Sequence, residues 1–198
     1  SLKQGRNTLA ILLWYFGKHG FSHKSSGRAG LVFDADIDGA RLASDRTWKA
    51  RVHPSYGDTG KPHPNFRLPE SNIRFDARKE PVGWHAPGFD DAGWPAAVEC
   101  GTPPCPPWNE LVARPIPLWK DFGLKDYVNT GDLPAAGTGG VIQATLPYNA
   151  QVTPWLKIDA PAGKTIDIRT DNYRGGGPPN VRPEYITRAG VQEYENLG

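Results

Sequence analysis

The sequence predicts an all-β fold built as an antiparallel β-sandwich, and two observations carry this prediction. The chain contains 23 glycines and 20 prolines, about double their average usage, and so many helix-breaking residues oppose long helices. In addition, short strand-like segments separated by Gly, Pro and Asn turns recur about every ten residues in the last third of the chain, which is typical of sandwiches. These segments are residues 141–146, 151–158, 165–170, 184–187 and 192–195.

The first half of the chain supplies further strand-like segments. Residues 8–16 form a continuous apolar run rich in aromatics, which predicts a strand buried on both faces. Residues 31–38 alternate between apolar and acidic side chains, so they predict a half-exposed strand that ends in a hairpin turn at Asp38 and Gly39. Two more strands are predicted at residues 44–52 and 73–77.

A candidate domain boundary lies at residues 126–140, which include the linker-like sequence TGDLPAAGTGG. We expect residues 1–125 to form one sandwich with long loops, and residues 141–198 to supply strands of a second accessory sandwich. Whether these are two partial sandwiches or complete one shared core remains open at this stage.

Composition and motifs exclude several classes of function. The formal net charge is only +2 and Lys and Arg form no stripe, so we expect no nucleic-acid partner. Apolar runs are too short to cross a membrane, and we expect no membrane partner. The motifs of serine hydrolases, HExxH metalloproteases and P-loop nucleotide-binding proteins are absent from the sequence.

Two cysteines, Cys100 and Cys105, occur close together in CGTPPC. A disulfide across this turn and a pair of free thiols are both compatible with the spacing. A zinc site is not expected, because two thiolates without a nearby His or Cys pair do not make a ligand set.

A calcium loop is the one cofactor alternative. Asp34, Asp36, Asp38 and Gly39 match the start of the DxDxDG pattern. The twelfth position would be Asp45, where a bidentate Glu is usual, and no flanking helices are predicted. We therefore favour the hairpin and expect no cofactor, with calcium at the three aspartates as the alternative.

The densest group of aromatic and charged side chains lies in residues 66–94 and ends in GFDDAGW. Phe89 and Trp94 are aromatic residues in a polar loop, and we expect them to plug an open end of the sandwich. Asp90 and Asp91 are expected to fix the turn by accepting hydrogen bonds from backbone N–H groups.

Several segments together resemble bacterial α-L-rhamnosidases of glycoside hydrolase family 78. LKQGRNTLAILLWYFG is similar to the segment that closes a galactose-binding-type sandwich in large glycosidases. SDRTWK, ESNIRFDARKEPVGW, GFDDAGW and RPIPLW then follow in the order seen in the rhamnosidases, and YNAQVTPWLKIDAPAGKTIDIRTDNY resembles their next accessory sandwich. The resemblance implies a jelly-roll or galactose-binding-like fold.

The resemblance also implies that the chain is not itself catalytic. The family's catalytic acid and base lie on a later (α/α)₆ barrel, and nothing in the sequence resembles that barrel. We therefore expect no catalytic residue here, an N-terminal accessory region that contacts the parent enzyme's catalytic domain, and a secreted or periplasmic location in a bacterium.

Sugar recognition requires flat apolar surfaces for the C–H face of a pyranose ring and planar polar groups for its hydroxyls. Asp76 and Arg78 lie two apart on a predicted strand and share a face, where they either pair with each other or contact a sugar. Trp84 and Trp108 lie in loops, where packing and binding are equally reasonable. The full candidate set is Tyr56, Arg67, Glu70, Asp76, Arg78, Trp84, His85 and Trp108.

Two functions follow from these observations. The first is a carbohydrate-binding module that binds a plant-type oligo- or polysaccharide weakly through loop aromatics and neighbouring polar groups. The second is a purely structural accessory region that packs on the catalytic domain and binds no sugar by itself.

Overall fold

The computed structural model describes residues 2–20, 24–60, 72–118, 120–137, 139–150, 152–170 and 181–196. Within these ranges the regular structure is almost entirely β, which confirms the all-β prediction. The strands are β1 Asp34–Ile37, β2 Ala40–Ala43, β3 Tyr56–Asp58, β4 Ile73–Asp76, β5 Trp155–Ala160, β6 Thr165–Asp167, β7 Glu184–Ile186 and β8 Gly190–Glu195, with 3₁₀ turns at Ala77–Lys79 and Thr130–Asp132.

The chain divides into two compact units. All eight strands lie in the first, which comprises Ser1–Leu111 together with Trp155–Gly198. The second, Val112–Pro154, holds the other 3₁₀ turn, and the Asn129 side chain cross-links it by accepting from Thr145 N at 2.9 Å and donating to Gln143 O at 2.9 Å. The division into residues 1–125, 126–140 and 141–198 stays a prediction.

The largest sheet has four strands in the order β3-β4-β7-β6. β3 pairs with β4 and β6 pairs with β7 in antiparallel fashion, whereas β4 and β7 run parallel. The parallel pair departs from the purely antiparallel pattern that we predicted. It is possible because the long intervening chain returns to the same end of the sheet, as parallel neighbours require.

A second sheet, the antiparallel pair of β5 and β8, packs against one face of the four-stranded sheet. Three buried rings fill the space between them: the Tyr194 ring centroid lies 5.0 Å from that of Phe75 and 4.6 Å from that of Tyr185. Leu156 and Ile158 of β5 pack on the same cluster. The two layers therefore form a small sandwich with an aromatic core.

The two faces of the four-stranded sheet differ in chemistry. Phe75 points into the core, so the period-two geometry of a strand places Arg74 and Asp76 on the opposite face. The cross-strand partners of those two residues on β7 are Glu184 and Ile186. One face is consequently aromatic and the other carries charge.

The side chain of Gln192 forms hydrogen bonds with backbone groups of the turn between β7 and β8. Its side-chain oxygen accepts from Tyr185 Oη at 3.0 Å and from Arg188 N at 2.9 Å. Its amide nitrogen donates to the carbonyls of Arg188 and Gly190, both at 2.7 Å. Because a buried amide that leaves donors or acceptors unpaired is costly, this set of bonds fixes the turn in one conformation.

The β1–β2 hairpin has the turn that its sequence predicts. β1 and β2 pair from Asp34↔Ala43 to Ile37↔Ala40. Asp38 and Gly39 have φ angles of 52° and 83°, and positive φ at both central residues is the mark of a type I′ hairpin turn. The predicted hairpin is confirmed.

Three predicted strands are wrong. Residues 8–16 have no strand pairing, and most of their side chains stay exposed, with Leu13 at 48% and Trp14 at 51%. Residues 44–52 form a turn and a single bridge from Lys49 to Ala96, and residues 141–146 are irregular. An apolar run becomes a strand only where a partner strand takes up its N–H and C=O groups, and no described strand does so here.

Phe75→Ala is expected to lower the free energy of unfolding by about 3–5 kcal/mol, because it removes a ring from the centre of the core and leaves a cavity. Urea denaturation of the two proteins measures the difference. Val191→Ala is the control: Val191 is 67% exposed on β8, so its truncation should cost less than about 0.5 kcal/mol. Equal losses for the two variants would contradict the core described above.

Candidate functional site

A pocket of about 220 Å³ opens on the charged side of the four-stranded sheet. Its wall comes from β3, β4, the following 3₁₀ turn and the end of β7. The lining residues are Pro54, Ser55, Tyr56, Gly57, Arg74, Asp76, Arg78, Lys79 and Ile186. Three of the residues predicted from the sequence, Tyr56, Asp76 and Arg78, therefore meet at one site.

Asp76 and Arg78 form a two-pronged ion pair. Arg78 Nε donates to Oδ1 and Nη2 donates to Oδ2 of Asp76, each at 2.8 Å. Asp76 also accepts from the backbone N of Arg78 at 3.2 Å and so caps the 3₁₀ turn. The hydrogen bonds from Arg78 hold the pKa of Asp76 below its usual value. The carboxylate is thus committed to the pair, while the guanidinium keeps further N–H groups for other acceptors.

Two more cations line the pocket. Lys79 Nζ lies 3.8 Å from Oδ2 of Asp76, with its side chain 62% exposed. Arg74 is exposed and has no carboxylate partner among the residues that the structure describes. Asp76 is the single carboxylate among the lining residues, so the pocket carries an excess of positive charge.

Ser55 is the one buried hydroxyl in the wall. Its backbone is engaged on both sides, since its N donates to Nδ1 of His53 at 3.3 Å and its carbonyl accepts from Asp76 N at 2.8 Å. Its side-chain Oγ is buried and has no hydrogen-bond partner in the described structure. It is one of four buried side-chain atoms without a partner in the described structure and the one that belongs to a residue of the pocket wall. A water, an ion or a ligand beside it would satisfy the hydroxyl.

An aromatic corner is defined as His53, Tyr56, Trp84 and His85. It shares Tyr56 with the pocket, but the Tyr56 ring lies 5.0 Å from that of Phe75, on the core side of the sheet. The ring centroid of His53 is 5.0 Å from that of Tyr56 and 6.2 Å from that of Trp84. Trp84 in turn contacts His85 at 5.6 Å, edge to face. Trp84 is half-buried and His85 exposed. Burial lowers the pKa of His53, which favours the neutral imidazole as a packing group.

Trp108 packs elsewhere. Its indole lies so close to Gly30 that a Cβ on that glycine would sit 2.4 Å from Trp108 Cζ2. The ring therefore covers bare backbone, and no described contact joins it to the aromatic corner. Arg67 and Glu70, the remaining candidates, lie outside the described residues.

The GFDDAGW loop is stabilised by hydrogen bonds and a ring contact between its own residues. Asp90 Oδ1 accepts from Ala92 N at 3.0 Å, as predicted, whereas Asp91 contributes its backbone carbonyl to Trp94 N at 2.8 Å. Phe89 and Trp94 pack edge to face with ring centroids 5.7 Å apart. The two aromatics close this loop on each other.

Two of the three aspartates of the calcium alternative have protein partners. Asp34 makes a two-pronged ion pair with Arg41 at 2.9 and 2.8 Å, and Asp36 Oδ1 accepts from Gly39 N at 2.9 Å. Within the described ranges no three His, Cys, Asp or Glu side chains come together as a metal-binding group. The expectation of no cofactor, with calcium at Asp34, Asp36 and Asp38 as its alternative, stays a prediction.

Cys100 and Cys105 are both free thiols, so the structure shows the unbridged alternative. The carbonyl of Cys105 accepts from Trp108 N at 3.0 Å and from Asn109 N at 2.8 Å, which closes the turn that carries Trp108.

A second group of charges lies on the same sheet, at β6 and β7. Arg169 Nη2 and Arg182 Nη2 donate to Oδ2 of Asp167 at 2.7 and 2.9 Å. Arg182, which is 4% exposed, also donates to Glu184 Oε1 at 2.5 Å and to the carbonyl of Gly60. The charges are paired within the group, so we assign it a structural role.

Sequence reasoning missed four residues of the site: His53, Ser55, Arg74 and Lys79. Arg74 was detectable, since it precedes Asp76 by two residues on a predicted strand and so shares its face. His53, Ser55 and Lys79 lie in turns and connections next to β3 and β4. Their positions depend on pairing between strands that are distant in sequence, and such pairing produces no local sequence pattern.

A curated bacterial enzyme is similar to this chain. The α-L-rhamnosidase of Streptomyces avermitilis is 28% identical over 182 residues, which cover 85% of this chain and 16% of that protein. The chain thus spans about a sixth of the length of its relative. No protein-family model and no solved structure matches the chain. None of the helices in the described ranges has the length and apolar character needed to cross a bilayer.

Asp167 should make the stability of the chain sensitive to acid. Hydrogen bonds from Arg169, followed by those from Arg182, lower the pKa of Asp167 from 3.8 to about 2. The unfolded chain therefore takes up this proton at a higher pH than the folded chain. The stabilisation is complete above about pH 5 and is lost as the pH falls toward 2.

We expect the free energy of unfolding to fall by about 1 kcal/mol more in the native chain than in Asp167→Asn between pH 5 and pH 2. This free energy is smaller than the full pKa shift would give, because the Asp167 side chain is partly exposed to solvent. Urea denaturation at each pH measures the effect. Asp159→Asn, at an exposed position on β5, should leave the pH dependence unchanged. Parallel pH profiles for native and Asp167→Asn proteins would contradict the expectation.

Proposed function

We propose that this chain is a non-catalytic carbohydrate-binding accessory region of a rhamnosidase-like glycoside hydrolase. The observation that carries the proposal is the 28% identity to an α-L-rhamnosidase over 85% of the chain but only 16% of that enzyme. The all-β fold is compatible with this proposal by fold-level analogy alone, because one fold can carry many functions.

The pocket and the aromatic corner supply the contacts that a sugar needs. Trp84 presents a half-buried ring for the apolar face of a pyranose, and the free donors of Arg78 and Arg74 can bond to hydroxyl oxygens. His53 packs edge to face against the indole, and Tyr56 packs against His53. Affinity should be weak, because a shallow site buries little of its ligand.

The chemistry of the pocket supports a binding role over hydrolysis. Glycoside hydrolysis requires two carboxyl groups facing each other across a cleft at about 5 Å or about 6.5–9.5 Å. The lining residues include only Asp76, and both of its oxygens accept from Arg78. Turnover of a rhamnoside by the isolated chain would overturn the non-catalytic assignment.

The remaining parts of the proposal follow from the same similarity. The partners are an oligo- or polysaccharide and the catalytic domain of the parent enzyme, with no role for nucleic acid or a membrane. The location is secreted or periplasmic in a bacterium, where polysaccharide substrates are found.

A purely structural role is the second candidate, and exposed apolar side chains favour it. Leu9, Leu13 and Trp14 are 47%, 48% and 51% exposed, and Leu31 and Val32 add to the apolar surface. Exposed apolar side chains that form a contiguous patch are typical of an interface, and residues 9–14 supply several of them close together in the chain. In this case the region would pack on the catalytic domain and bind no sugar alone.

Trp84→Ala is expected to abolish or strongly reduce carbohydrate binding, because it removes the ring on which a sugar would stack; such a contact contributes roughly tenfold or more to affinity. Affinity electrophoresis of the whole chain through gels that contain different plant polysaccharides measures the effect. The native protein should be retarded by at least one polysaccharide and Trp84→Ala should migrate freely.

Trp14→Ala is the matched control, since Trp14 is an exposed tryptophan outside the aromatic corner and stacks only on Phe16 among its described ring contacts. Its retardation should equal that of the native chain. If no polysaccharide retards the folded native protein, the binding role fails and the structural role stands.

A further inference from the structure

We propose that the pocket beside β4 binds the carboxylate of an acidic sugar, so that the ligand is a polysaccharide containing uronic acid. This inference rests on the proposed carbohydrate-binding function and adds the chemical class of the ligand. It is carried by two independent observations, the uncompensated positive charge of the pocket and the buried hydroxyl without a partner in its wall.

The first observation is the charge of the lining. Arg74, Arg78 and Lys79 bring three cations to the pocket and Asp76 brings one anion. Arg78 satisfies that anion with two hydrogen bonds of 2.8 Å, and the exposed Lys79 lies 3.8 Å from the same carboxylate. Arg74 has no carboxylate partner among the described residues, so the lining keeps an excess of positive charge. Cations that converge without counter-charge favour an anionic ligand, and a planar guanidinium matches a carboxylate with two parallel hydrogen bonds.

The second observation is Ser55. The residue is 3% exposed, and its Oγ has no hydrogen-bond partner within the described structure although the residue lines the pocket. A hydroxyl can donate to a carboxylate oxygen, which would satisfy the unpaired group. Ser55 is joined to the cations by backbone, since its carbonyl accepts from Asp76 N at 2.8 Å. Ser55 immediately precedes β3, Arg74 lies on the adjacent β4, and Arg78 and Lys79 follow β4 in the 3₁₀ turn.

The apolar part of the lining suits a sugar rather than a small inorganic anion. Pro54 and Ile186 provide aliphatic surface next to the charged groups. A pyranose ring carrying a carboxylate would place its C–H groups against these side chains and its charge toward Arg74. A free phosphate would leave that apolar surface unused. Inorganic phosphate therefore serves as the competitor that separates the two ligand types.

The variant that tests the inference is Arg74→Gln in the whole chain. Arg74 is exposed and forms no ion pair with a described carboxylate, so its replacement should leave the thermal unfolding temperature unchanged. Lys157→Gln is the matched control, because Lys157 is an exposed cation on β5, in the other sheet. The two variants change the net charge of the chain equally.

Binding is measured by isothermal titration with a galacturonic-acid oligosaccharide and with the same oligosaccharide after methyl esterification, which removes the charge and keeps the ring. We expect the acid form to bind the native chain roughly tenfold more tightly than the ester, as for a charge-assisted hydrogen bond. Arg74→Gln should lose this preference and Lys157→Gln should keep it. The preference should also weaken as sodium chloride is raised.

A second variant separates binding from folding. Ser55→Ala removes the buried hydroxyl that lacks a partner, so the unfolding temperature should stay the same or rise while affinity for the acid oligosaccharide falls. A fall in unfolding temperature with unchanged affinity would show that the hydroxyl serves the fold and would remove this support.

The results also separate this inference from the function on which it rests. Equal affinity for the acid and ester forms, with binding lost in Trp84→Ala, would overturn the uronate assignment and leave the carbohydrate-binding function intact. Competition by inorganic phosphate at the same concentration as the uronate would overturn it in favour of a simple anion site. If no glycan binds, both proposals fail.

Discussion

The parallel pairing of β4 with β7 is the contact on which the rest of the structure depends. It places Phe75 and Tyr185 side by side with their ring planes within 1° of parallel and their centroids 5.9 Å apart. Tyr194 of β8 then closes over both rings. The ion pair between Arg188 and Glu80, which are 108 residues apart, holds the ends of the same two strands together. Without this pairing neither sheet would have a core.

The same pairing creates the candidate site, because the two faces of a strand cannot be changed independently. Burying Phe75 in the core requires Arg74 and Asp76 to face outward, and the parallel register brings Ile186 beside Asp76. The ion pair between Asp76 and Arg78 then fixes the 3₁₀ turn at the rim. The core and the pocket thus lie on opposite faces of the same short strands, and a shift in the register of β4 and β7 would disrupt both.

The features that the sequence predicts correctly are local ones. The hairpin follows from Asp38 and Gly39, and the pairing of Asp76 with Arg78, one of its two alternatives, follows from their spacing. The parallel pairing of β4 with β7 could not be predicted from either segment, because it joins residues far apart in the chain. The strand predicted at residues 8–16 is absent for a related reason. Apolar composition indicates a tendency toward burial, but a strand forms only where a neighbouring backbone supplies hydrogen bonds.

The long separation between β4 and β7 also bears on how the chain is made. A ribosome adds roughly 5–20 residues per second, so β4 leaves the exit tunnel several seconds before its parallel neighbour exists. During that interval β3 can pair with one edge of β4, but the other edge of β4 and the face of Phe75 that packs on Tyr185 and Tyr194 lack their partners. Such an edge readily pairs with a strand of another chain. Chaperone binding to this segment during synthesis would shield it until β7 emerges and the sheet closes.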